Sequence, residues 1–207
     1  MRRIAGIHCR GRRDMGQRYQ ELQDSHRAFI AGQKLFFVAT AMPDGHVNLS
    51  PKGMDSLRVL GPNRVAWLNV TGSGNETASH IERSSRMTLM FCAFEGKPLI
   101  LRLYGQARAV HQGDADWDSC YGLFHPLPGA RQIFLLDVEL AQASCGMAVP
   151  YYQYQGEREQ LNDWARAKGE RGIRDYWRNR NGVSLDGLPT GIVEKSGMVP
   201  LDKATKE

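Results

Sequence analysis

Hydrophobic and polar residues alternate along this chain at two periods, and the switches between the periods mark its elements. Tyr19, Leu22, His26, Phe29 and Ile30 recur at helical spacing, which predicts an amphipathic helix over 17–31. Residues 35–41 are apolar and partly β-branched or aromatic, as in a buried strand. Pro43-Asp44-Gly45 then supplies a turn, since proline presets φ and glycine accepts φ > 0. His46, Asn48, Ser50 and Lys52 alternate with Val47, Leu49 and Pro51, and a period of two puts the four polar side chains on one face. Beyond the Gly61-Pro62-Asn63 turn, 64–71 reads as a strand with Val65, Trp67, Asn69 and Thr71 sharing a face. A short helix over 75–83 follows, with Ser73 or Asn75 as its cap. Further strands are expected over 87–93, 99–111 and 133–143. In 99–111, Leu99, Leu101, Leu103, Ala107 and Ala109 line one side, and Arg102, Tyr104, Gln106 and Arg108 the other. The 114–124 segment reads as a helix whose first turn carries Asp114, Asp116 and Asp118, which suits the helix dipole. Helical turns near Leu161–Ala165 and Ile173–Trp177 are broken around 169–172.

Strands joined mostly by turns, with helices between them and at both ends, indicate an antiparallel α+β domain. The short Gly/Pro turns point to a barrel rather than a doubly wound parallel sheet. At 207 residues the chain has the size of a single domain with a substantial core. No stretch approaches the roughly 18 apolar residues of a membrane helix, and the N-terminus lacks the apolar run of a secretory signal. Four scattered cysteines without C-x-x-C spacing read as free thiols, so a cytoplasmic location is expected.

The net charge of +5 changes the picture only locally. Arg2, Arg3, Arg10, Arg12 and Arg13 precede the first acid, Asp14, and the basic residues that remain balance the acidic ones. The expected organisation is therefore a disordered basic arm over 1–14 and one domain over 15–207 that ends in a helical segment. A neutral body argues against a nucleic-acid footprint, although the arm alone could touch nucleic acid or anionic lipid.

Candidate chemistry concentrates in 46–77. Gly72-Ser73-Gly74-Asn75-Glu76-Thr77 lies between a strand and a helix, where backbone N–H groups are free to meet an anion. Ser73, Asn75 and Thr77 could add side-chain bonds, or the loop is an ordinary capped turn. Lys52, in the Ser50-Pro51-Lys52-Gly53 corner, is placed as a point charge for a phosphate. No G-x-S-x-G elbow, no H-E-x-x-H helix and no metal-ligand spacing among the histidines occurs, so no catalytic acid or base and no metal is assigned.

The runs FFVATAMPDGHVNLSPKG and VAWLNVTGSGNETASHI, the LRLYGQARAV strand and the CGMAVPYY segment resemble the pyridoxamine 5′-phosphate oxidase-related flavoproteins over roughly 17–190. The resemblance implies a split β-barrel of about six antiparallel strands with peripheral helices. It also implies a homodimer with FMN at the interface and a small-molecule substrate. Phosphate contacts would come from Ser50, Lys52, Gly53, Ser73, Asn75 and Thr77. The strand carrying Trp67, Asn69 and Thr71 would run along the flavin ring, and Gln106 would reach the flavin from the partner strand. The oxidase proper has an Arg-Lys pair where this chain has Asn75-Glu76, and a C-terminal Arg-x-His element that is absent here. The expectation is thus an FMN-dependent oxidoreductase of unknown substrate. The alternative is a split barrel that holds flavin or haem without turnover, with His80, His111 or His125 as haem ligand. Tyr104, Tyr151, Tyr152 and Trp177 are candidate pocket walls.

Overall fold

The computed structural model describes residues 16–198, and the expected arm over 1–14 lies outside them. The elements are β1 (Gln17–Tyr19), α1 (Asp24–Gly32), β2 (Phe36–Thr40), β3 (Asn48–Lys52), β4 (Leu57–Gly61), β5 (Arg64–Val70), α2 (Glu76–Ile81), β6 (Arg86–Cys92), β7 (Ile100–His111), α3 (Trp117–Tyr121), β8 (Ala130–Ser144), α4 (Gln160–Tyr176), a π-helical turn Trp177–Asn181 and α5 (Ile192–Lys195). Every strand pairing is antiparallel.

The predicted helix over 17–31 is divided. Its first residues form β1, which pairs with the end of β8, and only α1 is helical. The ring of Tyr19 sits edge-on to His26 at 4.5 Å, so the spacing that suggested one helix reflects a contact across a strand–helix junction. β4 was not anticipated. It is a short strand between a corner, where Met54 and Asp55 take positive φ, and the Gly61–Asn63 turn. The break in α4 lies where the sequence placed it, at Gly169 (φ 62).

The eight strands form one sheet in the order β3-β2-β6-β7-β8-β5-β4, with β1 added to β8. The split barrel expected from the sequence is therefore corrected: the sheet is open, because β3 and β4 end the order and do not pair with each other. β3 carries Pro51, which has no N–H for a further neighbour, as befits an edge strand.

Period-two alternation builds a core on each side of the sheet. Val65 and Trp67 of β5, Leu101 and Leu103 of β7, and Phe134 and Leu136 of β8 share one core with Ile30 of α1 and with Ala78 and Ile81 of α2. Ala66, Leu68, Val110, Ile133 and Leu135 face the other way, against Trp117 of α3. Each fully buried Leu or Phe contributes about 2 kcal/mol relative to its exposed state. A third cluster, with Ala165, Ile173, Trp177 and Ile192, knits the C-terminal helices together.

β7 and β8 slip register between Tyr104 and Gly105. A Cβ on Gly105 would lie 1.9 Å from the Asp137 carbonyl oxygen, whereas one on Gly61 would meet nothing within 4 Å. Gly105→Ala is expected to lower the unfolding free energy by about 3 kcal/mol or more, the cost of forcing backbones apart, and Gly61→Ala by well under 1 kcal/mol. Equal effects of the two substitutions in urea titrations would contradict this packing.

Candidate functional site

Three elements that are distant in sequence meet at the end of β5. Asn48, Ser50 and Lys52 of β3 turn inward while Leu49 and Pro51 are exposed, as the alternation predicted. They face the loop 72–75, the start of α2 and Arg131 of β8 across a cleft of about 270 Å³. Of the residues expected to hold the phosphate, Ser50, Lys52, Ser73, Asn75 and Thr77 line this cleft, together with Asn69, which was expected along the flavin ring. His46, expected on the same face, instead bonds Asp186 through its backbone N–H and its Nδ1.

The other expected residues lie elsewhere. Trp67 is buried beneath the cleft, stacked on Phe134 at 4.9 Å, with the Lys52 ammonium 5.2 Å from its ring centroid. Thr71 is buried, donates to the Gly129 carbonyl and accepts from Trp177 Nε1. Gly53 faces a neighbouring cleft, close to the Lys34 carbonyl. Gln106 is on the opposite face of the sheet, with Ser85 and Glu139. Among the suggested pocket walls, Tyr151 and Tyr152 are exposed, Trp177 is buried, and Tyr104 bonds Gln142. The three histidines considered for haem share no cleft: His80 and His111 are buried and His125 is exposed. Among the described residues no three His, Cys, Asp or Glu side chains gather to hold a metal.

Arg131 was not foreseen. The strand was expected to start at 133, which left this arginine in a loop. It is buried, with Nη1 donating to the Gly74 carbonyl at 3.0 Å and to Asn181 Oδ1 at 2.7 Å, while its Nε has no partner. The local signal was an Arg-Gln pair opening an apolar run, with Gln132 directly opposite Asn69 across the β5–β8 ladder. Asn48 was also missed as a lining group. Its amide donates to Thr40 and Thr77 and links β2, β3 and α2.

Two cations thus face one cleft. Burial pushes the Lys52 ammonium down to about 8, with the charge of Arg131 adding to the shift. Burial lowers Arg131 to about 9, against the pull of Tyr176 and Glu76, and both groups stay charged at neutral pH. No salt bridge among the described residues involves either one. Glu76, at the start of α2, also lines the cleft, and one of its carboxylate oxygens accepts the Leu185 N–H. α2 has only six residues, and Asn75 makes no cap bond. Both polar atoms of its buried amide lack partners. Unpaired polar groups beside two cations that face a single carboxylate and form no salt bridge favour an anion.

The match to known proteins fits this arrangement. The family model for pyridoxamine 5′-phosphate oxidase matches residues 22–145. A curated relative, the pyridoxamine 5′-phosphate oxidase family protein ustO of Aspergillus flavus, is 36% identical over 190 residues, which cover 83% of this chain and 76% of that protein. The chain belongs to the pyridoxamine 5′-phosphate oxidase family. Membership supports a flavin-linked oxidoreductase role in general terms and names no substrate. Among solved structures, a Lactobacillus delbrueckii protein provisionally assigned as a pyridoxamine 5′-phosphate oxidase overlays with a TM-score of 0.49 at 22% identity, covering 61% of this chain and 98% of that one. Group A Streptococcus HupZ overlays with a TM-score of 0.46 at 20% identity, covering 57% and 91%. An FAD binding protein of Mycobacterium smegmatis overlays with 0.43 at 12%, covering 60% and 96%. These partial overlays assign no role to any residue. No helix among the described residues is long and apolar enough to cross a membrane.

A cleft that desolvates two cations carries a stability cost. Lys52→Met should raise the stability of the ligand-free protein at pH 7 by about 1 kcal/mol, because it removes a desolvated charge but keeps the packing on Trp67. Chemical denaturation of both proteins in anion-poor buffer measures this, and a destabilised variant would contradict it.

Proposed function

We propose that this protein is an FMN-dependent oxidoreductase whose cofactor phosphate is held by Lys52 and Arg131. The observation that carries the reading is the half-buried Lys52 and the buried Arg131, neither in a salt bridge, beside the unpaired amide of Asn75. Family membership supports flavin as the ligand. A phosphate monoester is close to dianionic at neutral pH and matches two positive charges. Arg131 makes good the missing Arg-Lys pair of the oxidase proper, from β8 rather than from the helix start.

Ser50, Ser73 and Thr77 would add hydroxyl bonds to the phosphate, and Asn69 lines the same cleft. When bound, FMN supplies hydride or electron transfer. The protein's part is to fix the phosphate, exclude water from its charge and leave the ring accessible. The outer face near β2 and β3 exposes Val47 (72%) and Leu49 (64%), and it continues to Gln106. Pairing of two copies through this face would bring Gln106 of each to the other's cofactor and cover the apolar residues.

The test is a visible titration of the purified protein with FMN, followed by sedimentation of the complex. Saturable binding to a dimer is expected. Lys52→Ala and Arg131→Ala should each weaken binding by about 10- to 100-fold, the loss of one charge-assisted bond. Affinity should fall as pH rises above about 8, where Lys52 of the free protein loses its proton, and again below about 6, where the phosphate becomes monoanionic. No FMN uptake, or uptake indifferent to both substitutions, would overturn the reading, and a monomeric complex would remove the proposed role of Gln106.

A further inference from the structure

The segment 177–190 lies across the back of the anion cleft, beyond the 22–145 matched by the family model. It is tied down at several points. Trp177 Nε1 donates to Thr71 Oγ1 at 2.8 Å. The Leu185 N–H donates to Glu76 at 2.9 Å, and Arg83 donates to the Pro189 carbonyl at 3.1 Å. At the centre is Asn181, which is fully buried.

Asn181 Nδ2 donates to the carbonyls of Gly72 at 3.1 Å and Ser73 at 3.3 Å, and its Oδ1 accepts from Arg131 at 2.7 Å. Arg131 in turn donates to the Gly74 carbonyl. Three successive carbonyls are therefore held, two by Asn181 of the strap and the third by the Arg131 guanidinium that Asn181 holds. In a trans peptide unit C=O and N–H point in opposite directions. Holding the carbonyls of 72, 73 and 74 in this way turns the N–H groups of Ser73, Gly74 and Asn75 away from Asn181, and these three residues line the cleft. None of those three N–H groups has a hydrogen-bond partner among the described residues. Successive N–H groups aimed into one concavity form an anion-binding nest. The unpaired, buried Asn75 amide and Arg131 Nε are independent signs of a ligand at the same place.

We propose that Asn181 is a positioning residue that assembles this nest, so that the C-terminal strap is a working part of the phosphate site. The inference rests on the phosphate reading above. Asn181 touches no ligand. It acts by turning three peptide units and by holding the Arg131 guanidinium in place, and Thr190 holds it in turn by donating to its backbone carbonyl at 2.5 Å. A carboxamide is the side chain suited to the task, because it gives two hydrogen bonds to carbonyls and accepts one from a guanidinium without adding charge.

Two variants of the full chain test this. Asn181→Asp keeps the shape and the acceptor for Arg131 but loses both donors and brings a negative charge to the cleft. Thr190→Val loosens Asn181 without altering its side chain. Calorimetric titration with inorganic phosphate should show affinity at least tenfold weaker for Asn181→Asp and several-fold weaker for Thr190→Val, with circular dichroism spectra unchanged. In ligand-free protein, an NMR titration of the Lys52 side chain should move upward in Asn181→Asp, as the new carboxylate offsets Arg131, and stay put in Thr190→Val. The charge of Asn181→Asp acts on both readouts in any case, so the neutral Thr190→Val decides: a changed melting temperature with phosphate affinity left where it was would overturn the proposal. If the parent protein itself takes up no phosphate, the phosphate reading falls. The Lys52 titration then still decides whether Asn181 governs the charge of the cleft, and an unmoved Lys52 in Asn181→Asp would overturn that too.

Discussion

Two positive charges held in one cleft, neither of them in a salt bridge among the described residues, are the constraint on which the rest of this site depends. Like charges in a partly dehydrated space repel, and burial adds to the cost, so the resting protein holds Lys52 near the limit of its charged range. Such an arrangement persists in a folded chain only if the surroundings over-determine it. Here they do. Lys52 lies over Trp67, which is locked against Phe134 in the main core, and Arg131 is clamped by Gly74 and Asn181. On the proposed reading, that cost is what an arriving phosphate relieves.

The sheet supplies the geometry. β3 is an edge strand, so one face of its alternation is free to meet α2 and the loop before it. β5 and β8 pair so that Asn69 lies opposite Gln132, which sets Arg131 beside the end of β5 where the 72–75 loop leaves. The open order of the strands leaves the outer face of β2 and β3 uncovered within the single chain.

The parts of this site that were legible in the sequence depend on local periodicity. Asn48, Ser50 and Lys52 share a face because side chains in a strand repeat every two residues, and no distant contact is needed to see it. The kink at Gly169 is legible for the same reason. What could not be read depends on pairings remote in sequence. Arg131 gains its role from Gly74 and Asn181, which lie 57 and 50 residues away along the chain. Gln17 to Tyr19 follow a helical spacing but form a strand, since the end of β8 offers them backbone hydrogen bonds that outweigh a weak helical preference. The barrel was expected from short turns, yet closure depends on whether two edge strands meet, and turn chemistry says nothing of that.

The measurement that bears most directly on the paired cations is the phosphorus NMR titration of FMN in complex with the protein. Phosphate held between Lys52 and Arg131 should stay dianionic well below the pH of about 6 at which a free monoester takes up its second proton. The account predicts a bound resonance whose midpoint is displaced by at least one pH unit to the acid side. A bound phosphorus that titrates as it does in free FMN would show that the phosphate is in solvent and that the two cations serve something else.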